Sequence, residues 1–268
     1  MVMYNKANEK NFPIGVLDSG VGGLTTLATL KKLLPNENFI FYADHKNAPY
    51  GDKDKEEVKE FVHEIVKFFI SKKVKAIVIA CNTAVSATIE HLRKEFNIPI
   101  FGLEPAVKIA YENSKDKKII LMATKLTTQG EKLKSLLKKL NIENEVKKIP
   151  ASGLVELIEA ENYSSQKIKT YLKNIFKNLN INDYSHLVLG CTHYIFVKNE
   201  INQVINSKLE ITDGNKGLAL HLKRTLKKHS LLNNSDKEGY IKLITSGNKK
   251  DEEKLRIFFE KALKITEL

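Results

Sequence analysis

Short runs of apolar and β-branched residues alternate with longer segments of helical periodicity along the chain, and this alternation limits the folds open to it. The runs that predict strands are 13–18, 38–42, 75–80, 98–102, 118–123, 145–149, 186–190, 209–211 and 240–244. Between them, apolar residues recur at helical spacing, as Val58, Val62 and Ile65 do. Strands that alternate with helices form mostly parallel sheets covered on both faces. The sequence therefore predicts an α/β fold.

Two of the predicted strands end in similar segments that hold the only two cysteines of the chain. Residues 76–84 read AIVIACNTA, and residues 186–194 read HLVLGCTHY. In open α/β sheets, ligands bind at the carboxyl ends of the strands. We therefore predict two similar doubly wound, mostly parallel-sheet domains that face each other across a cleft, with Cys81 on one side and Cys191 on the other.

Proline and glycine mark two breaks in the chain, near 103–106 and near 212–216. We predict that the first domain comprises residues 1–104 and 214–268 and carries Cys81. The second domain then comprises residues 105–213 and carries Cys191. In this division, the last strand and helix, at 240–263, return to the first domain.

A pair of thiols on opposite sides of a cleft suits one kind of chemistry in particular. Inverting a carbon centre requires one group that removes a proton from one face and another that delivers a proton to the other face. A thiol has an ordinary pKa of about 8.5, close enough to neutrality for either role. A lone cysteine is more often a small buried apolar residue, but the repeated motif around Cys81 and Cys191 favours a functional pair.

The first predicted strand runs into a glycine-rich turn, residues 15–24, which reads GVLDSGVGGL. Neither common phosphate-binding spacing is satisfied, because Thr25 stands where a third glycine is needed and no lysine follows. The N–H groups of such a turn can still receive a carboxylate. Asp18, at the strand tip, is a candidate to bind a substrate ammonium or to assist a thiol; its structural alternative is to cap the next helix.

Hydroxyl groups and a close-approach glycine follow two other predicted strands. The segment 41–51 ends in Pro49-Tyr50-Gly51, where a plain turn is the structural alternative to a ligand contact. Thr124 and Thr127 follow the strand 118–123, and either can border a ligand or cap the next helix. We predict that Tyr50, Gly51 and Thr124 lie at the cleft.

Taken together, these motifs resemble the glutamate racemase family of the aspartate/glutamate racemase group. The resemblance rests on Leu17-Asp18-Ser19-Gly20-x-Gly22-Gly23, on Tyr42-Ala43-Asp44 with Pro49-Tyr50-Gly51, and on the two cysteine segments, and it covers essentially the whole chain. It implies reversible interconversion of L- and D-glutamate without a cofactor, in a homodimer that supplies D-glutamate for cell-wall peptidoglycan. A family member acting on aspartate or another acidic substrate stays open as the alternative.

The resemblance also implies roles for individual residues. Cys81 would remove the proton from D-glutamate and Cys191 from L-glutamate. Asp18 and His193 would tune the thiols on their own sides, with Glu156 as the partner of His193. The implied substrate contacts are Asp18, Ser19, Tyr50, Gly51, Asn82, Thr83, Thr124, Thr192 and His193. The chain departs from the family where relatives read Thr-Pro-Ala-Thr, because it has Thr124-Lys125-Leu126-Thr127.

Composition and charge argue against several other classes of protein. The net charge of +12 raises the question of nucleic acid, but only three of the 44 basic residues are arginines and the lysines are spread among acidic residues. We therefore expect no nucleic-acid site; a lysine-rich protein that binds an anionic partner is the non-enzymatic alternative. The sequence shows no signal peptide and no apolar run of about 18–20 residues, so we expect a cytoplasmic protein without a membrane span.

No metal site is predicted either. Two cysteines are too few for a tetrahedral zinc site without help, and no histidine pair has the spacing of a helical metal motif. We interpret the remaining histidines as structural or solvated: His45, His63, His91, His186, His221 and His229.

Overall fold

The computed structural model of the protein describes residues 9–115, 117–160 and 164–266. Over these residues the chain forms nine strands, each within two residues of its predicted limits. They are β1 (Ile14–Asp18), β2 (Phe39–Ala43), β3 (Ala76–Ile79), β4 (Ile100–Gly102), β5 (Lys118–Ala123), β6 (Val146–Pro150), β7 (Tyr184–Gly190), β8 (Glu210–Thr212) and β9 (Ile241–Thr245).

Helices separate most of the strands. The α-helices are α1 (Leu24–Leu33), α2 (Lys55–Ser71), α3 (Asn82–Glu95), α4 (Val107–Glu112), α5 (Lys125–Gln129), α6 (Glu131–Leu140), α7 (Gly153–Glu159), α8 (Ser165–Phe176), α9 (Lys198–Val204), α10 (Asn215–Lys228) and α11 (Lys249–Ile265). Short 3₁₀ helices lie at His45–Asn47, Tyr50–Asp52, Ile181–Asp183 and Thr192–Val197. Among the described residues, no helix is long and apolar enough to span a membrane.

Local sequence explains where these helices begin and which face they bury. Helix α2 begins after a capping box, in which the Asp54 and Glu57 side chains bond each other's backbone N–H groups. Its predicted apolar stripe, including Val58, Val62 and Ile65, is buried. On α6 the buried positions are Leu133 and Leu137, one turn apart.

The strands form two sheets in which every described pairing is parallel. The first sheet has the order β4-β3-β1-β2-β9, and the second has the order β6-β5-β7-β8. The prediction of an α/β protein with two parallel sheets is therefore confirmed. Strand β9 joins the first sheet at its edge beside β2, and α10 and α11 pack against α1.

The two sheets share their largest apolar cluster. Val16 and Val78 of the first sheet belong to the same cluster as Ile120 and Leu189 of the second. Helix α1 contacts the 3₁₀ segment 192–197 that follows β7. Register aligns the strand ends within each sheet, because Leu17 pairs with Ile79 and Ala123 pairs with Gly190. The carboxyl ends of β1, β3, β5 and β7 thus meet above this shared core, while the division into two domains stays a prediction.

Candidate active site

Both cysteines stand just beyond the carboxyl end of a buried strand. Cys81 follows β3 and caps α3, where its Sγ accepts a hydrogen bond from the backbone N–H of Ala84 at 3.5 Å. Cys191 follows β7 directly and precedes the 3₁₀ segment 192–197. Both side chains are buried and both are free thiols.

The two thiols line one small cavity that is partly open to solvent. The other residues around it are Ser19, Pro49, Tyr50, Gly51, Asp52, Asn82, Thr83, Thr124, Ser152, Val155, Thr192 and His193. The structure thus brings together every residue predicted to contact the substrate except Asp18, which is set behind the cavity wall and fully buried. A second, more open cavity adjoins this one through Ser19, Pro49, Val155 and His193, and we call it the vestibule.

The surroundings of Cys81 hold its proton on the sulfur. Burial raises the pKa of the Cys81 thiol to about 12, and the nearby Asp18 carboxylate adds to that shift. The Ser19 hydroxyl oxygen lies 3.7 Å from Sγ and is its polar neighbour in the cavity. At neutral pH, the Cys81 thiol is therefore protonated.

The surroundings of Cys191 have the opposite character. Nδ1 of His193 lies 3.8 Å from the Cys191 sulfur, and Nε2 lies 2.7 Å from Oε1 of Glu159. Burial alone would lower the pKa of His193, but the hydrogen bonds to Cys191 and Glu159 raise it well above its ordinary value. A buried imidazolium beside a thiol favours the thiolate. The Cys191 sulfur therefore has a charged imidazolium as its polar neighbour.

Asp18 links the two sides. Its Oδ2 accepts a hydrogen bond from the Thr192 hydroxyl at 3.1 Å, and its Oδ1 accepts one from the backbone N–H of Gly20 at 3.0 Å. Burial raises the pKa of Asp18, while the His193 charge and these two hydrogen bonds act against that rise. The structural alternative for Asp18 does not apply, since the N-cap of α1 is Gly23.

The partner of His193 is Glu159, and the prediction of Glu156 in that role is wrong. Both glutamates belong to α7, but Glu156 is exposed on the vestibule wall. Glu159 lies one turn later, and its Oε1 also accepts the backbone N–H of Val21 at 3.0 Å. Lys254 of α11 bonds Oε2 of the same carboxylate. Burial would raise the pKa of Glu159, but the hydrogen bond from His193 and the charge of Lys254 hold it well below its usual range.

The glycine-rich turn is shaped by the segment that carries His193. A Cβ on Gly22 would lie 2.3 Å from the Thr192 hydroxyl and 2.4 Å from Nδ1 of His193. A Cβ on Gly20 would lie 2.3 Å from Oε1 of Glu159. Glycine is thus required at both positions, because the turn lies very close to the side chains of Thr192, His193 and Glu159. Two backbone N–H groups of the turn donate hydrogen bonds to carboxylates of the protein: Gly20 donates to Asp18, and Val21 donates to Glu159.

One wall of the cavity is built from hydroxyl groups that follow strands of both sheets. The hydroxyl oxygens of Thr83 and Thr124 lie 2.9 Å apart and join the start of α3 to the end of β5. Thr124 also caps α5 by accepting the backbone N–H of Thr127 at 3.4 Å, so it has both the predicted cavity position and its structural alternative. Thr127 lies behind it, outside the residues that line the cavity.

Tyr50 is held by the buried carboxylate of Asp44, a residue for which the sequence predicted no role. Its hydroxyl donates to Oδ2 of Asp44 at 2.6 Å, and Ser246, just after β9, donates to Oδ1 of Asp44 at 2.7 Å. Burial and Asp44 together raise the pKa of Tyr50, so the phenol stays neutral. Asp44 belongs to the Tyr42-Ala43-Asp44 motif, and its position directly after β2 is the signal that could have identified it.

Asn82 presents an unpaired acceptor near the thiols. Its Nδ2 donates to the carbonyl oxygen of Leu103 at 2.9 Å, which fixes the side chain. Its Oδ1 is buried without a hydrogen-bond partner in the described part of the chain. Among those residues, no group of three or more His, Cys, Asp or Glu side chains is placed to hold a metal ion.

Comparison with known proteins points to one family. The model of the family described as Asp/Glu/Hydantoin racemase matches residues 15–221. A glutamate racemase from Clostridium acetobutylicum is 46% identical over 238 residues, which cover 88% of this chain and 93% of that protein.

Solved structures give the same result at the level of the fold. A glutamate racemase isoform from Bacillus anthracis superposes with a TM-score of 0.84 at 30% identity and covers 92% of each chain. A glutamate racemase from Francisella tularensis, solved in complex with D-glutamate, superposes with a TM-score of 0.82 at 27% identity, covering 97% of this chain and 96% of that one.

Proposed function

The chain belongs to the Asp/Glu/Hydantoin racemase family, and we propose that it interconverts L- and D-glutamate by proton transfer between Cys81 and Cys191. The observation that carries the proposal is the shared cavity, in which a thiol with a raised pKa and a thiol beside an imidazolium face the same space. The relative and both structural neighbours described above are glutamate racemases, which favours glutamate over aspartate as the substrate.

Starting from L-glutamate, the Cys191 thiolate takes the proton from Cα. The C–H bond breaks, an S–H bond forms at Cys191, and the electron pair stays on the substrate. The Cys81 thiol then gives its proton to the opposite face of Cα, which forms D-glutamate and leaves a thiolate at Cys81. That form of the enzyme is the one that acts on D-glutamate, so the reverse reaction uses the same two groups with exchanged roles.

The neighbouring residues supply position and charge for this transfer. His193, held by Glu159, stabilises the thiolate at Cys191. Asp18 lies beside Cys81, where its charge makes the thiolate a stronger base once the proton has left. The unpaired Oδ1 of Asn82 can accept a hydrogen bond from a substrate ammonium. Ser19, Tyr50, Gly51, Thr83, Thr124 and Thr192 complete the proposed substrate contacts.

We further propose the setting in which this reaction takes place. Residues 1–104 with 214–268 and residues 105–213 would form two domains, and the substrate would bind between them without a cofactor. The enzyme would act as a homodimer in the cytoplasm and supply D-glutamate for peptidoglycan. The family membership supports these expectations.

The test is a polarimetric assay of purified protein with L-glutamate and no added cofactor. We expect optical rotation to decay to zero, because the two enantiomers have equal free energies. L-aspartate under the same conditions is the control, and its rotation should change far more slowly. A stable rotation with L-glutamate would refute the proposed function, and equal decay with L-aspartate would refute the proposed specificity.

A further inference from the structure

Lys254 reaches the catalytic side of the molecule from a distant part of the chain. It lies on α11, 95 residues after Glu159, yet its ammonium donates to the backbone carbonyl of Glu159 at 2.6 Å and to Oε2 of the Glu159 carboxylate. The two side chains are 24% and 19% exposed, so this ion pair lies mostly out of solvent. Neither the cysteine motifs nor the turn motifs indicate a role for Lys254.

The hydrogen bonds divide the Glu159 carboxylate into two halves. Oε1 accepts from Nε2 of His193 at 2.7 Å and from the backbone N–H of Val21 at 3.0 Å. Oε2 accepts from Lys254. With Oε2 occupied, the carboxylate cannot rotate without losing a charge-assisted hydrogen bond, so Oε1 stays directed at His193.

Lys254 also anchors the end of the helix that carries Glu159. Glu159 is the last residue of α7, and the last carbonyls of a helix have no partner within it. An ammonium at this end satisfies one of them and complements the helix dipole. Lys254 therefore fixes both the backbone and the side chain of Glu159.

We infer that Lys254 is a positioning residue for proton transfer at Cys191, acting through Glu159 and His193. The inference rests on the proposed function, since Cys191 must exchange a proton with substrate. Without Lys254, the Glu159 carboxylate is free to turn toward the vestibule, and His193 loses its fixed orientation toward the Cys191 sulfur.

Other charged groups face this ion pair and define its surroundings. His45 and Asp251 lie on the vestibule wall with Lys254, and the charges of Glu159, Asp251 and Lys254 all act on His45. Asp251 is itself engaged, because its Oδ2 accepts the backbone N–H of Asn248 at 2.8 Å. Removing Lys254 therefore leaves the Glu159 carboxylate without its ammonium partner.

The test measures the reactivity of Cys191 directly, without relying on racemisation. In a Cys81→Ala background, Cys191 is the only thiol, and its rate of alkylation by iodoacetamide against pH gives the midpoint for thiolate formation. We expect Lys254→Met to move this midpoint upward by about one pH unit, the shift expected for losing one hydrogen bond to a charged group. Lys254→Arg keeps the positive charge and the hydrogen-bond donors, so its midpoint should stay close to that of the protein with Lys254. Exposed Lys264 on the same helix is the matched control, and Lys264→Met should leave the midpoint unchanged.

A double-mutant comparison tests the route through Glu159. Adding Lys254→Met to Glu159→Gln should produce almost no further shift, because the residue through which Lys254 acts has already lost its charge. In the enzyme with both cysteines, Lys254→Met should lower kcat by about tenfold with little change in KM. An unmoved midpoint in Lys254→Met, or an equal shift with and without Glu159→Gln, would overturn the inference. Alkylation does not require turnover, so the two proposals can fail separately. If the proposed function is wrong, the protein will not racemise glutamate, but the alkylation midpoint of Cys191 will still shift in Lys254→Met.

Discussion

Glu156 and Glu159 lie one turn apart on α7 but meet different surroundings. Glu156 is exposed on the vestibule wall. Glu159 is turned inward, where His193, Val21 and Lys254 all bond its carboxylate. The Glu159 carboxylate therefore remains charged at neutral pH despite its burial, and this charge keeps His193 protonated beside Cys191.

We predict that replacing these two glutamates has unequal effects. Glu159→Gln removes a charged acceptor from His193 and should lower kcat by at least about tenfold, the cost expected for one charge-assisted hydrogen bond. Glu156→Gln on the same helix should leave kcat within about twofold of wild type, because an exposed carboxylate contributes little. Steady-state polarimetry on both variants measures this difference. Equal losses in the two variants would contradict the assignment of Glu159.

Single-residue roles are the part of the site that the sequence predicted least completely. Cys81, Cys191, Asp18 and His193 could be singled out because each follows a strand end in a distinctive motif. Glu159 could not, since two glutamates one turn apart have the same local pattern. Only the rotation of α7 against the segment that carries His193 decides which one reaches the imidazole.

At the scale of elements, the glycine-rich turn and the 3₁₀ segment 192–197 form the closest contact between the halves of the site. The turn was expected to present free N–H groups to a ligand. Instead, the N–H of Gly20 bonds Asp18 and the N–H of Val21 bonds Glu159. The turn thus stabilises the carboxylates that act on the two thiols.

We predict that Gly22→Ala is damaging, whereas Gly217→Ala is beneficial. A Cβ at Gly22 would lie 2.3 Å from the Thr192 hydroxyl, so this variant should lose about 1–3 kcal/mol of unfolding free energy through overpacking and should also lose activity. Gly217 lies within α10 and has no other atom within 4 Å of an added Cβ. Its substitution should gain about 0.5–1 kcal/mol. Denaturant unfolding measures both, and a Gly22→Ala enzyme with wild-type stability and activity would contradict this role of the turn.

The elements themselves were largely predictable, because their signals are local. Apolar and β-branched runs predicted the nine strands, and an apolar stripe predicted the buried face of α2. The loop that departs from the family pattern forms the short helix α5, capped by Thr124. Its capping hydroxyl was visible in the sequence, but the contact between Thr124 and Thr83 was not, since it joins two different sheets.

At the scale of the whole molecule, segments from both ends of the chain meet at the edge of the first sheet opposite the thiols. Lys75, just before β3, forms an ion pair with Glu37 in which the two side chains are 2% and 1% exposed. The Lys75 ammonium also donates to the carbonyl oxygen of Leu231 at 3.0 Å, and Glu37 accepts the backbone N–H of Asn233 at 2.8 Å. This buried pair therefore ties the segment before β9 to the first sheet.

We predict that Lys75→Met strongly destabilises the protein. It leaves Glu37 as an unpaired buried charge, which should cost about 3–5 kcal/mol of unfolding free energy. Lys67→Met is the matched control, because Lys67 pairs with Glu64 in solvent and its loss should hardly change the unfolding midpoint. Chemical denaturation of the two variants checks the prediction. A Lys75→Met protein as stable as the control would show that this ion pair does not hold the fold together.

The long-range arrangement is where sequence reasoning reached its limit. The repeated cysteine motif predicted that two strand ends face one cavity, and the described residues place both thiols there. The contribution of α11 was not predictable, because Lys254 meets Glu159 only after the last strand and helix have packed on the first sheet. No local pattern records a contact that depends on the whole chain being folded.

The most direct test of the two-thiol mechanism is the racemisation rate of Cys81→Ala and Cys191→Ala, each measured by polarimetry from L-glutamate after circular dichroism has verified the fold. Because each thiol serves one face of Cα, either substitution alone should lower the rate by at least about 100-fold. Full turnover in either single variant would contradict proton transfer between Cys81 and Cys191.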